Sequence, residues 1–355
     1  MQSLLAITWD MGRGIDLGFF TIRFYSLLFA LGFVLGYFLM KKMFEKAGIA
    51  QEKLDSLLTY VVIATVVGAR LGHVFFYQWD YYSKHPGEIL KVWEGGLASH
   101  GAAIAIVIAI IIYCKRVLKK SPLWMLDRVV ITVALAAVLI RIGNWTNSEI
   151  YGDIANSNME TVFTNPARER ILMNFDNIFE SVEFTALDKK EITDTLIYPL
   201  YDMQLQVLPQ VSKEKAESAI KSLKPYFNDR LDREDKNILF STSPITWDEQ
   251  KKNSVHVEVL GVPRHPTQLY EAFAYFLIFL ILYRLYINEN IVQRQGFIFG
   301  MFLILLFGFR FFIEYYKEVQ VSKEHGQGLL IGQYLSIPLV AIGLYFVATA
   351  KKKKS

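Results

Sequence analysis

Seven separate runs of about 20 apolar residues constrain this chain more than anything else in it. They lie near 17–40, 57–78, 97–114, 122–142, 268–287, 296–315 and 331–350. A bilayer core of about 30 Å takes about 20 helical residues to cross, and a chain in lipid must satisfy its backbone polar groups internally. Seven such runs predict an all-α polytopic membrane protein with seven transmembrane helices. Across the 355 residues, 53% hydrophobic content and a mean hydropathy of +0.27 agree, being too apolar for an ordinary water-soluble domain.

The linkers carry their positive charge on one side. Lys41, Lys42 and Lys46 follow the first run, and Lys115, Arg116, Lys119 and Lys120 the third. Arg284 and Arg294 follow the fifth, and four lysines occupy 351–354. The positive-inside rule makes all four sets cytoplasmic, with the N-terminus and the long segment 153–262 outside and the C-terminus inside. Much of the net charge of +4 sits in the final lysines. Beside an apolar helix they read as an anchor to anionic lipid, not as a nucleic-acid site. Asp10 and Asp16 precede the first run where a cleaved signal would be basic, so that run reads as a retained span. The single cysteine, Cys114, adjoins Lys115 and Arg116 at a helix end, which leaves no intrachain disulfide, cysteine metal cluster or cysteine nucleophile. No cluster has metal-ligand spacing, and neither a metal nor another cofactor is expected.

Residues 153–262 contain no spanning stretch. SKEKAESAIKSLKPYFN (212–228) reads as an amphipathic helix with a serine cap, while TLIYPL, MQLQVL and VHVEVLGV have strand character. The expected organisation is helices one to four over 1–152, a small extracytoplasmic α/β head over 153–262, and helices five to seven with the basic tail over 263–355. No repeat relates the two halves, and seven spans do not suit the paired repeats of secondary transporters.

The fourth run, VVITVALAAVLI, passes without a break into RIGNWTNSEIYG (141–152). From Pro122, a good first-turn residue, to Arg141 is roughly 30 Å at about 1.5 Å per residue, so Arg141 reaches the outer interface. Helical spacing puts Arg141, Asn144 and Ser148 on one face, with Glu149 adjoining it. A snorkelling arginine at a capped helix end is the plain structural alternative. Other polar residues arrive at the same level. His100 in EGGLASHGAAIA (94–105) sits in the first turn of the third run, where the positive helix end suits a neutral imidazole that accepts a proton. Arg264 and His265 in RHPTQLYEA (264–272) immediately precede the fifth run. Tyr25 in TIRFYSLLFALG is expected about two turns into the first run, with Arg23 above it. Guanidinium pairs bidentately with phosphate, so Arg141 and Arg264 at one lipid interface suit a phospholipid head group. Ionisable residues at membrane depth are functional hypotheses by default. Arg70, His73, Arg310 and Glu314, in aromatic-rich helix ends, read as ion-pair or hydrogen-bonding partners instead.

These stretches resemble the bacterial prolipoprotein diacylglyceryl transferases. The run Arg141-Ile142-Gly143-Asn144-Trp145-Thr146-Asn147-Ser148-Glu149, with Gly152 at its end, is similar to the family's Arg-x-Gly-Asn-Phe-x-Asn-x-Glu followed by Gly. Trp145 replaces the usual Phe, Ser148 a common Gly, and Ile140 the Gly that usually precedes the Arg. RHPTQLYE is similar to the family's Arg-His-Pro-Ser-Gln-Leu-Tyr-Glu, and VWEGGLASHGA to its Gly-Gly-x-x-x-His-Gly. IRFYS and GQYLSIP (332–338) resemble its Ile-Arg-Trp-Tyr-Gly and Gly-Gln-x-Leu-Ser-x-Pro. The resemblance runs through nearly all seven spans in order and is weakest over 153–262.

The resemblance implies transfer of the diacylglyceryl group of phosphatidylglycerol to the lipobox cysteine of a prolipoprotein, forming a thioether and releasing glycerol phosphate. It implies a bacterial inner-membrane enzyme whose partners are phosphatidylglycerol, the prolipoprotein signal peptide and membrane lipids, with no nucleic acid. In that reaction His100 is the expected base, and Arg141 and Arg264 the expected ligands of the phosphate. Asn144, Glu149 and Tyr25 would orient the head group, with Gly152 allowing close backbone approach. Glu149 stays open between that role and a pair with an arginine. The alternative is a transporter or flippase of an anionic lipid or solute, with the same arginines as binding-site charges.

Overall fold

The computed structural model describes residues 6–18, 21–155, 160–193, 196–228, 236–317 and 329–351. The helices are α1 (Phe24–Lys46), α2 (Gln51–Phe76), the single turn α3 (Trp79–Tyr82), and α4 (Ser99–Tyr113), which a π-turn prolongs to Leu118. Next come α5 (Pro122–Thr146), the shorter α6 (Asn165–Phe175) and α7 (Lys213–Asn228), and α8 (Thr267–Ile287). The turn α9 (Glu289–Val292), α10 (Phe297–Ile313) and α11 (Ile331–Thr349) complete the set. Seven of them (α1, α2, α4, α5, α8, α10 and α11) are long and apolar enough to cross a membrane. The chain is a mostly helical, polytopic membrane protein. Of the final lysines, 352–354 lie outside the described residues.

The strands are β1 (Ile7–Trp9), β2 (Gly14–Asp16), β3 (Thr21–Arg23), β4 (Thr161–Phe163), β5 (Phe179–Thr193), β6 (Leu196–Val207), β7 (Ile238–Phe240), β8 (Thr246–Trp247) and β9 (Ser254–Gly261). The first correction to the sequence reading lies among them. The first span begins at Phe24 and not near residue 17, because β2 and β3 pair antiparallel ahead of it. Asp16 accepts the Gly18 amide at 2.8 Å, and Gly18 turns the chain at φ 83°. A Cβ at position 14 would strike the Ile22 carbonyl, so only glycine fits there. Turn chemistry followed by β-branched Thr21 and Ile22 outweighs the apolar content of this stretch. Tyr25 is consequently the second residue of α1, not two turns into it.

The chain divides into two compact units. The first comprises Met1–Phe29, Val138–Ala274 and Phe309–Ser336. Its sheet runs β5-β6-β9-β7, antiparallel throughout, with β8 also on β9. Alternate residues of β6 and β9, such as Met203, Leu205, Val255 and Val257, are buried with Ile171 of α6 and Ile220 of α7. Ser212 caps α7 as expected, its Oγ accepting from the Lys215 amide at 3.3 Å. LIYPL of the first segment and MQLQV of the second belong to one continuous strand, β6, while Thr195 lies outside the described residues. In the same unit β1 pairs parallel with β4, and Trp9 Nε1 donates to the Trp145 carbonyl at 2.9 Å.

On this sheet the His256 ring lies between two carboxylates, Asp202 at 2.7 Å and Asp248 at 3.4 Å. Partial burial works against its protonation, but the hydrogen bonds and charges of the two aspartates outweigh that and raise its pKa. A raised pKa contributes stability below the unfolded value of about 6.5 and loses it as pH climbs through the folded one. His256→Gln is therefore expected to flatten the decline in unfolding midpoint between neutral and alkaline pH. An unchanged slope in thermal unfolding would count against the clamp.

The second unit comprises Ala30–Ala137, Tyr275–Gly308 and Ile337–Ser355. Small residues let its helices meet at backbone distance, the way helices associate in lipid. A Cβ at Gly72 would come within 2.7 Å of Gly101 Cα, and one at Gly300 within 2.7 Å of the Gly343 carbonyl. Asp127 of α5 is fully buried and caps α10, accepting from the amides of Gly296 at 2.7 Å and Phe299 at 2.8 Å.

Candidate active site

In the first unit α5 does not fray at its end. Ser148 turns left-handed at φ 53°, with its amide on the Trp145 carbonyl at 3.0 Å and the Glu149 amide on the Asn144 carbonyl at 3.1 Å. This is the Schellman arrangement, which normally takes glycine at that position. Ile150 follows at φ 56°, a rare state for a β-branched residue. The chain thereby folds back and brings the Glu149 carboxylate to Asn144 Nδ2 at 2.8 Å and Asn147 Nδ2 at 3.3 Å. Asn144 turns its oxygen the other way and accepts from Arg141 Nη1 at 3.3 Å. Arg141, Asn144, Asn147 and Glu149 form one hydrogen-bonded chain.

Two residues that the sequence reading left without a role complete this set. Glu271, fully buried one turn into α8, takes Arg141 Nη2 at 3.2 Å and Lys317 Nζ at 3.1 Å on the same carboxylate oxygen. Lys317 also approaches Glu314 at 3.9 Å. Burial pushes the Lys317 ammonium below its ordinary range, while the charge of Glu271 pulls it up. The shared carboxylate holds a guanidinium and an ammonium side by side, and such cations pair with phosphate. Glu271 was open to the rule that singled out Arg141, since it too is an ionisable residue inside a spanning run. Gln268, fully buried three residues earlier, donates to the Glu149 carbonyl at 2.8 Å.

Tyr25 packs its ring on Gly143, where a Cβ would come within 2.8 Å of Tyr25 Cδ2. It lies in the electrostatic range of Glu149 and Arg141. Gly152 has its close approaches within the protein, since a Cβ there would meet Thr267 Cγ2 at 2.7 Å and His265 Cβ at 2.8 Å. Arg264 is 2% exposed. It donates to the carbonyls of Lys236 at 2.9 Å and Gly152 at 3.3 Å, with its guanidinium over the Tyr151 ring. His265 is held nearby, its Nδ1 3.4 Å from the Tyr270 hydroxyl, and burial pushes its imidazole pKa down.

His100 belongs to the second unit, in the first turn of α4 as expected. It is exposed, with Phe76 and Tyr77 against its ring at centroid distances of 5.1 and 5.6 Å. Among the described residues no hydrogen bond or ion pair engages that ring, whereas His73, His85, His256 and His265 each have a polar partner. In the same unit Arg70 clasps the loop leading to α4, donating to the carbonyls of Glu88 and Gly95 at 2.6 Å and of Ile89 at 2.9 Å. Arg70 is thus a hydrogen-bonding partner of the backbone, as its position in the sequence suggested.

The sequence pattern of the family described as prolipoprotein diacylglyceryl transferase matches residues 14–349, nearly the whole chain. The chain belongs to that family. Its relatives include the phosphatidylglycerol–prolipoprotein diacylglyceryl transferase of Tolumonas auensis, 34% identical over 96% of both chains. Proteins of the same name from Chloroherpeton thalassium and Porphyromonas gingivalis are 31% and 34% identical, over 99% and 98% of this chain and 97% and 95% of their own. The diacylglyceryl transferase reading stands over the transporter or flippase alternative, and the chain is a multi-pass membrane transferase.

Proposed function

We propose that this protein transfers the diacylglyceryl group of phosphatidylglycerol to the lipobox cysteine thiol of a prolipoprotein, with chemistry supplied by residues at helix ends. The observation that carries the assignment of residues is the Arg141–Glu271–Lys317 triplet, its last two members buried, tied through Asn144 to Glu149. A thiol with a pKa near 8.5 is only a few per cent thiolate at neutral pH, so a base helps. His100, whose ring no hydrogen bond or ion pair engages among the described residues, takes that proton. The thiolate sulfur attacks the glycerol carbon bonded to the phosphate oxygen; a C–S bond forms, the C–O bond breaks, and glycerol phosphate leaves with the electron pair. Arg141 stabilises the charge that builds on the phosphate. Lys317 and Glu271 hold the guanidinium in place. Asn144, Glu149 and Tyr25 orient the head group, while Arg264 and Gly152 fix the backbone beside it. The reaction is tested in detergent, where no sealed compartment exists: a transferase lipidates a lipobox peptide there, and a transporter does nothing.

The same proposal gives the chain a direction. Residues 153–262 form an extracytoplasmic head that serves substrate access, between the helices of 1–152 and those of 263–355. The lysine and arginine asymmetry puts the N-terminus outside and the C-terminus inside the inner membrane. Reporter fusions after residues 45, 118, 290 and 355 are expected to report cytoplasm, and one after 210 the outside. An outside signal at 118 would overturn this map.

A further inference from the structure

Asn147 and Gln268 are 6% and 0% exposed, and each points its amide nitrogen at Glu149. Asn147 Nδ2 donates to the carboxylate at 3.3 Å and Gln268 Nε2 to the main-chain carbonyl at 2.8 Å. Neither amide can be turned round, because a flip would set oxygen against oxygen in both cases. Glu149 therefore fixes which way both amide oxygens face. Among the described residues neither Asn147 Oδ1 nor Gln268 Oε1 has a hydrogen-bond partner, although both atoms are buried. Asn144, in the same motif, differs in that its oxygen takes Arg141. Buried acceptors are normally paired, and leaving one without a donor is costly. Two buried acceptors, both turned away from Glu149, call for donors from a ligand.

We propose that Asn147 and Gln268 are specificity-determining residues, accepting hydrogen bonds from the head-group hydroxyls of the phospholipid substrate. The inference rests on the reading of the site given above and adds to it the means by which the head group is chosen. The terminal glycerol of phosphatidylglycerol carries two free hydroxyls, both neutral donors, close to the phosphate that Arg141 would hold. A choline head group has no N–H or O–H to give.

The test uses the full-length protein in detergent with a lipobox peptide. It compares phosphatidylglycerol with phosphatidylpropanol of the same acyl chains, whose head group has no hydroxyl. A site built to bond hydroxyls rejects an analogue lacking them, because its buried acceptors stay unpaired. The unsubstituted protein should favour phosphatidylglycerol in kcat/KM by about 30-fold or more. Gln268→Met and Asn147→Leu should each shrink that ratio, chiefly by slowing the phosphatidylglycerol reaction. A purely structural role would slow both lipids equally and leave the ratio unchanged, which would overturn the inference. Equal use of both lipids by the unsubstituted protein would overturn it too, with no need for a folded variant and with the transferase reading intact. No thioether from either lipid would instead overturn the transferase reading on which the inference rests.

Discussion

Glu271→Gln should cost this protein about 3–5 kcal/mol of stability, the usual result of removing one partner from a buried charge network. The amide keeps the shape of the carboxylate but not its charge, so the buried Lys317 and the mostly covered Arg141 lose the carboxylate they share. Activity should fall with stability, since the guanidinium loses the group that aims it. The pH dependence follows from Lys317. Burial already holds its ammonium down, and Glu271 is the first of the charges that pull it up. Without Glu271 the Lys317 pKa drops further, and the variant's deficit should shrink as pH rises and the amine sheds its proton. Adding Lys317→Met should recover part of the loss at neutral pH, because one uncompensated charge has gone. The measurement is the unfolding midpoint of the detergent-solubilised protein against pH. A deficit under about 1 kcal/mol, or one that grows with pH, would contradict the buried bridge.

His100→Gln should lower turnover at neutral pH by roughly 10²–10⁴, the usual contribution of a positioned base. Glutamine can still hydrogen-bond but cannot take the proton. Part of the loss should return as pH approaches about 8.5, where the peptide thiol ionises unaided. Arg141→Lys should behave differently. A point charge replaces a planar fork that now spans Asn144 and Glu271, so phosphate is held less well at every pH. Its defect should appear in lipid affinity as well as rate, with no comparable alkaline recovery. The check is rate against pH for both variants at saturating lipid. A His100→Gln protein that stays active, or whose defect does not shrink with rising pH, would remove the histidine from the chemistry and make His265 the next candidate.

The spanning helices were legible because about 20 apolar residues in lipid have few other options. Where the sequence misleads, local turn chemistry decides: Asp16 and Gly18 turn an apolar stretch into a hairpin and delay α1 to Phe24. Strand β5 has no clear signature in sequence, since FESVEFTALDKKEIT is rich in charge. Its half-buried pattern emerges only once β6 lies beside it. At the site, helical spacing puts Arg141 and Asn144 on one face, where Arg141 Nη1 reaches the Asn144 oxygen. What spacing could not supply was the left-handed turn at Ser148 and Ile150, which sets the carboxylate of Glu149 on two asparagines. The joining of Arg141 and Lys317 through Glu271 links residues distant in sequence, and no local pattern announces it. Arg264 resembles Arg141 in sequence, but its guanidinium is engaged by backbone carbonyls.

The central claim is that a thiol sulfur displaces glycerol phosphate from carbon, and the bond formed tests it most directly. A lipobox peptide incubated with the purified protein and phosphatidylglycerol in detergent can be weighed and then treated with hydroxylamine. The account predicts a peptide heavier by one diacylglyceryl group, resistant to hydroxylamine at sulfur, with one glycerol phosphate released per thiol consumed. A hydroxylamine-labile thioester accompanied by a lysophospholipid would contradict it, because attack would then have occurred at an acyl carbonyl.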